Sequence, residues 1–270
     1  MEERPPYLIG PGDPQVRVTT DGDGSIVDVT VSGRWTGSLG TAVARTLRKC
    51  LAERPAGIVV DLSRVEDPQA ASAAAWLAAA RTAAGASPGV GLAVCVPARS
   101  ALAARLGAGD AVGGLLVRDS PADAHAALTG DRPPAPAIRL SLPPSPVAAC
   151  TARNLVGDAC QEWGLRPLLH PGRAVMSELV TNVVEHARTE MDISVSRRGT
   201  ALHLVVRDRA PQLPRVLGLA PVEPGRPLDE RGHGLRVVHA DSTAWGAMPV
   251  TDGKMVWATV RDRAGQPRGW

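Results

Sequence analysis

The chain has 270 residues, room for one large domain or two ordinary ones. Apolar residues make up 44 % and charged residues 21 %, which excludes a disordered chain. The net charge of +3 is spread along the chain, carried almost wholly by Arg with lysines only at Lys49 and Lys254. With no Phe and one Tyr there is no aromatic platform for single strands either, so direct nucleic-acid binding is not expected.

In chain order, Val16–Thr20 and Ser25–Val31 alternate as strands around the turn Asp21-Gly-Asp-Gly24. Leu39–Glu53 has apolar residues at helical spacing. Strands at Gly57–Leu62, Val90–Val96 and Gly114–Arg118 then alternate with helices at Ala70–Ala84, Ser100–Leu106 and Pro121–Leu128. This order predicts a mixed sheet with helices packed on it over residues 1–130. Residues 131–137, with three prolines and no hydrophobic period, read as a stiff linker. The second half, 138–264, opens with helices at Pro146–Trp163 and Gly172–Ala187. Strands Met191–Arg197 and Ala201–Asp208 follow, then a Pro-rich loop, Arg209–Leu228, read as a lid. A helix over Gly234–Ala240 and a strand over Lys254–Val260 complete an α+β sandwich, with helices on one face of a mostly antiparallel sheet, and 265–270 form a tail. The fold class is thus a two-domain α/β chain.

No apolar stretch is long enough to span a bilayer; the longest, Ala70–Ala84, is interrupted by Ser72, Arg81 and Thr82. Met1–Gly12 is charged and Pro-rich, unlike a signal peptide. Four widely spaced cysteines make neither a CxxC motif nor a disulfide framework. A cytoplasmic protein without membrane contact is the expectation.

The informative helix contains Glu178, Asn182 and His186 at i, i+4 and i+8. Each step of four overshoots a turn by about 40°, so the three form one slowly drifting row. Val175, Met176, Leu179, Val180, Val183 and Val184 fill the neighbouring arc, which must face the sheet. The row then lies at the seam between core and solvent. Its oxygens are hard ligands suited to Mg²⁺, although the same pattern also describes a solvated helix face. Asp208 ends a strand at the lip of the Pro-rich loop, where a carboxylate can accept a hydrogen bond from an exocyclic amine such as adenine's. As a strand-end Asp it is equally a turn residue. Gly232 and Gly234 precede a helix, where backbone N–H groups can approach an anion, or where they merely ease helix entry. The order and spacing of the three features favour a nucleotide site.

At these residues the second half resembles the GHKL ATPase fold, in its anti-sigma-factor serine kinase branch. Glu178-xxx-Asn182-xxx-His186 looks like the N-box, and Asp208 matches the adenine-reading Asp of the first glycine box. Ala210 stands where that box usually has glycine. Gly232-His233-Gly234-Leu235 matches the second glycine box, and Trp245-Gly246 with Gly253–Thr259 matches the closing strands. The resemblance implies ATP and Mg²⁺ as cofactors. It implies Glu178 as general base, Asn182 as the Mg²⁺ ligand, and His186 and Leu235 as nucleotide-site residues. Gly232 and Gly234 would line the phosphates, and Thr259 would contact the adenine side.

The first half resembles a STAS domain, the anti-sigma-factor antagonist fold, through Val29–Thr36 and Ile58–Val65. Such domains usually carry Asp-Ser-Ser-Gly-Leu where this chain has Gln69-Ala-Ala-Ser-Ala73. Ala70 and Ala71 have no hydroxyl, and Ser72 is either a displaced acceptor or a plain helix-start serine. The two resemblances imply an ATP-binding regulator of the anti-sigma-factor type. It would be a Mg-dependent serine/threonine kinase acting on a STAS-domain antagonist in a partner-switching pathway that controls transcription. The alternative is a non-catalytic, nucleotide-responsive interaction module. Implied partners are a STAS-domain antagonist, a sigma factor, or a second copy of the chain.

Overall fold

A computed structural model describes residues 6–9, 14–20, 26–86, 89–107, 114–130, 136–214 and 233–262. Contacts divide the chain into two compact units, one built mainly from Ile9–Pro133 and the other from Met1–Leu8 together with most of the chain after Pro134. Among the described residues no helix is long and apolar enough to cross a membrane.

The first unit is a five-stranded mixed sheet in the order β2 (Val16–Thr20), β3 (Ile26–Arg34), β4 (Gly57–Glu66), β5 (Gly91–Cys95), β6 (Leu115–Arg118). β2 and β3 pair antiparallel, and the other pairs are parallel. Four helices connect the strands: α1 (Gly37–Glu53), α2 (Ala73–Ala84), α3 (Ala101–Leu106) and α4 (Pro121–Thr129). The helix starts follow from local chemistry. Thr36, Ser100 and Ser120 each sit in extended backbone and accept a hydrogen bond from the amide three residues on. Pro121 occupies the first turn of α4, where its missing N–H costs nothing.

The entry to α2 is built differently. Ala70 takes a left-handed backbone, φ 51°, a conformation that costs a non-glycine residue. The turn is held by Asp67, whose carboxylate accepts from the Ala71 amide (2.8 Å), the Ser72 amide (2.9 Å) and the Ser72 hydroxyl (2.6 Å). Ser72 is fully buried, so its hydroxyl is committed inside the fold rather than offered to a partner. Partial burial raises the Asp67 carboxyl, but the hydrogen bonds from Ser72 and Ala71 outweigh it and hold the group below its ordinary range.

The second unit is a six-stranded sheet in the order β1 (Tyr7–Leu8), β10 (Ala244–Val250), β11 (Gly253–Arg261), β9 (Ala201–Asp208), β8 (Met191–Arg198), β7 (Ala137–Leu142). β7, β8, β9 and β11 pair antiparallel in that sequence. α5 (Ala148–Glu162), α6 (Leu169–Asn182) and α7 (His233–Asp241) accompany the sheet, with Arg153 on α5 donating to the Ser177 hydroxyl on α6 at 2.8 Å. Ala152, Val156, Met176, Val180 and Val238 from the helices pack with Ile193, Val195, Leu204, Val206, Val256 and Ala258 from the strands. Burying such apolar surface is worth roughly 25 cal/mol per Å².

Three expectations are corrected. Tyr7–Leu8, expected with the first domain, pair parallel with Gly246–Ala247 on the edge of the second unit's sheet, and Tyr7 stacks on Trp257. Ala137, expected to end the linker, opens β7; residues 131–135 of that linker lie outside the described residues. The helix expected over Gly172–Ala187 begins at Leu169, and its last turn, Val183–Ala187, is π-helical. Of the Pro-rich lid only residues 209–214 are described, and the 265–270 tail lies outside the described residues.

Asp67→Ala removes three hydrogen bonds at the α2 entry. It is expected to cost about 1–2 kcal/mol in denaturant unfolding at neutral pH. Because the folded carboxyl sits below its unfolded value, its contribution is complete above the ordinary carboxylate range. The deficit relative to wild type should shrink as the pH falls through that range into stronger acid.

Candidate nucleotide-binding site

α6 places Glu178 and Asn182 one turn apart beside its buried stripe of Val175, Met176, Leu179 and Val180. Both side chains are half-buried at the seam, as amphipathic spacing requires. Across from them α7 brings in Gly234. A Cβ on Gly234 would lie 2.5 Å from Glu178 Oε2 and 3.6 Å from Asn182 Oδ1. With no side chain at Gly234 the backbone comes this close to the carboxylate without displacing it. Leu235, one residue on, packs against the core beside this point.

Two groups shift Glu178. Burial raises its carboxyl first, and the charge of Glu185 raises it further. Glu185 was not singled out by the spacing of four residues. Its signal was the spacing of seven, which returns a helix to nearly the same face. His186 is exposed on the π-helical turn. The change of hydrogen-bonding pattern after Asn182 ends the regular four-residue row before His186. The structure therefore brings Glu178, Asn182 and Gly234 together, and among the described residues no hydrogen bond or ion pair ties His186 to them. Gly232 lies outside the described residues.

Asp208, the last residue of β9, is completely buried on the helix-facing side of the sheet, in phase with Val206 and Leu204. Its Oδ1 accepts from the Ala210 amide at 2.8 Å, and its Oδ2 is buried without a hydrogen-bond partner among the described residues. An orphaned buried carboxylate oxygen is costly, and a ligand's N–H would satisfy it. Opposite Asp208 in the ladder is Lys254, whose Nζ donates to Asp208 Oδ1 at 2.8 Å and to the Ala210 carbonyl at 3.2 Å. Lys254 is not among the residues singled out from the sequence; a lysine in an apolar strand of an Arg-rich chain was the available signal. The close approach depends on Gly253, where a Cβ would lie within 2.8 Å of Arg209 Cα. The strand end is further clamped by Arg209, which donates to Asp252 (2.8 Å) and Asp192 (2.9 Å).

Thr259 is corrected. It pairs with His203, five ladder positions from the Asp208–Lys254 pair. Strand alternation puts Val256, Ala258 and Val260 on the helix-facing side, so Thr259 falls on the opposite face with Trp257. It does not share a site with Asp208.

The residues fit the groups that the GHKL resemblance implied. The orphaned Asp208 oxygen suits an exocyclic amine, and the missing side chain at Gly234 leaves backbone close to the Glu178 and Asn182 oxygens. Among the described residues no three His, Cys, Asp or Glu side chains form a metal cluster. The hard donors present are the Glu178 carboxylate and the Asn182 amide oxygen, the few protein ligands Mg²⁺ takes when phosphates and water supply the rest.

Residues 142–260 match the family model described as the histidine kinase-like ATPase domain. That span runs from the end of β7 to near the end of β11, so the second unit is a histidine kinase-like ATPase domain. Among solved structures, the chain is similar to the RsbU and RsbW domains of Rv1364c from Mycobacterium tuberculosis, at 20 % identity and a TM-score of 0.35. The match covers 48 % of this chain and only 33 % of that one. No curated protein matches the chain.

Two variants probe the arrangement. Gly234→Ala presses on the mobile tip of Glu178 rather than on backbone, so stability should change by less than about 1 kcal/mol while nucleotide affinity falls, read by calorimetry. Glu178→Gln removes a carboxylate whose folded value is raised. The ionised group opposes folding above that value, so Gln should raise the melting temperature at neutral pH. The gain should vanish once the pH falls below the ordinary glutamate range.

Proposed function

We propose that the second unit binds Mg·ATP and phosphorylates a serine or threonine on a separate STAS-domain protein, as part of a partner-switching regulator of transcription. The observation that carries this reading is the meeting of Glu178, Asn182 and Gly234, in the same unit as a buried carboxylate, Asp208, whose Oδ2 has no partner among the described residues. Bound Mg·ATP supplies the phosphoryl group and the charge that neutralises it. Asp208 Oδ2 accepts the exocyclic amine of the base. Asn182 would hold the magnesium through its amide oxygen, and Gly234, with Gly232 by resemblance, would leave backbone close to the phosphates. Glu178 orients the acceptor hydroxyl and takes its proton. Its raised value makes it a better base near neutral pH than an ordinary surface glutamate. The protein's contribution is mostly positioning and electrostatics, as in phosphoryl transfer generally.

A second reading has its own support. Within the first unit, which we read as STAS-like, Ser72 is buried and hydrogen-bonded to Asp67, and the preceding residues are alanines. That half then acts as a constitutive docking surface, and ATP biases which partner the chain holds.

The two readings separate in one set of measurements. The wild-type chain is expected to bind ATP with Mg²⁺ in calorimetry and to transfer labelled γ-phosphate to a STAS-domain protein. Glu178→Ala should abolish transfer, by at least about 100-fold, while largely sparing ATP binding. Tight ATP binding with no transfer by wild type would reject the kinase. A partner affinity that moves with ATP would then leave the docking reading standing.

A further inference from the structure

Asp208 and Lys254 are more than a closed ion pair. Asp208 Oδ1 is satisfied twice, by Lys254 Nζ and by the Ala210 amide, while Oδ2 is buried and accepts nothing among the described residues. An ammonium carries three N–H donors. Lys254 spends one on Asp208 Oδ1 and one on the Ala210 carbonyl, and the third has no partner among the described residues. Lys254 is itself only 8 % exposed. A buried acceptor and a buried cation therefore stand side by side, each with a valence unfilled among the described residues. A pair retained for stability alone would close both, since a buried ion pair is a poor bargain against apolar packing.

The chemical edge complementary to an acceptor beside a donor is a donor beside an acceptor. A 6-aminopurine offers this, its exocyclic N–H₂ flanked by a ring nitrogen with a lone pair. We propose that Lys254 is a specificity-determining residue of the nucleotide site, donating its third N–H to a ring nitrogen of adenine while Asp208 Oδ2 accepts the amine. This rests on the nucleotide site proposed above. It adds a direct cationic reader of the ring, so that the base is recognised at two adjacent atoms by protein groups alone.

The test uses the full wild-type chain, calorimetry with Mg²⁺, and three nucleotides: ATP, 1-deaza-ATP and 7-deaza-ATP. Each analogue keeps the amine and replaces one flanking ring nitrogen with C–H. One of the two should bind about tenfold more weakly than ATP, because a buried charged donor is then left facing carbon. In Lys254→Met the same analogue and ATP should bind alike. If ATP binds and both analogues match it within about twofold, the role of Lys254 is overturned and the ATP site stands. If ATP itself fails to bind, the nucleotide reading falls, and this inference with it. The wild-type comparison decides the matter even if Lys254→Met does not fold.

Discussion

The second unit depends on a charge buried where the sheet faces its helices. Asp208 and Lys254 pair across β9 and β11 on the surface that otherwise holds Leu204, Val206, Val256 and Ala258. Removing one partner from such a pair strands the other and costs about 3–5 kcal/mol, so neither residue can drift alone. The pair also needs the backbone of Gly253 against Arg209, and the guanidinium of Arg209 clamped to Asp192 and Asp252. These contacts fix the strand end at the point where the chain leaves the sheet.

A second constraint acts on α6. Its apolar stripe must face the sheet, which leaves Glu178 and Asn182 at the rim, half in and half out of water. Half-burial raises the Glu178 carboxyl, and Glu185 adds to the effect. The π-helical turn that follows, ending at Arg188 with φ 54°, releases the chain toward β8. Such turns interrupt a regular helix and gather at functional positions. Here it divides the expected row, keeping Glu178 with Asn182 and setting His186 apart in solvent.

The first unit spends its polar groups on its own turns. Asp67 satisfies the amides and hydroxyl at the start of α2 and supports a left-handed alanine there. Serine at that point is a structural part of the turn, in contrast to the open valences in the second unit. The hydroxyl that the first unit holds in its turn and the open oxygen of Asp208 in the second are thus opposite cases of a buried polar group.

Much was legible in the sequence alone. Period-two and period-3.6 patterns located the four described helices and five described strands of the first unit, and the two long helices, β8, β9, α7 and β11 of the second. Local periodicity reports which face of an element is buried, and burial dominates folding. Asp208, Glu178, Asn182 and Gly234 stood out as candidates because their residue types and order have few alternative uses together. What escaped was what depends on distant pairing. β1 is two residues long and exists only because the β10 edge accepts it. β10 contains Gly246 and Pro249, residues that read locally as turn, and β7 had no boundary against the linker. Thr259, implied as an adenine-side contact by resemblance, faces away from Asp208 because one ladder register, Lys254 opposite Asp208, decides which alternate residues look at the helices. That register also made Lys254 a neighbour of Asp208 across 46 positions of chain. Sequence determines the period of each strand, but only pairing between strands determines its phase, and here the phase decides which residues form the site.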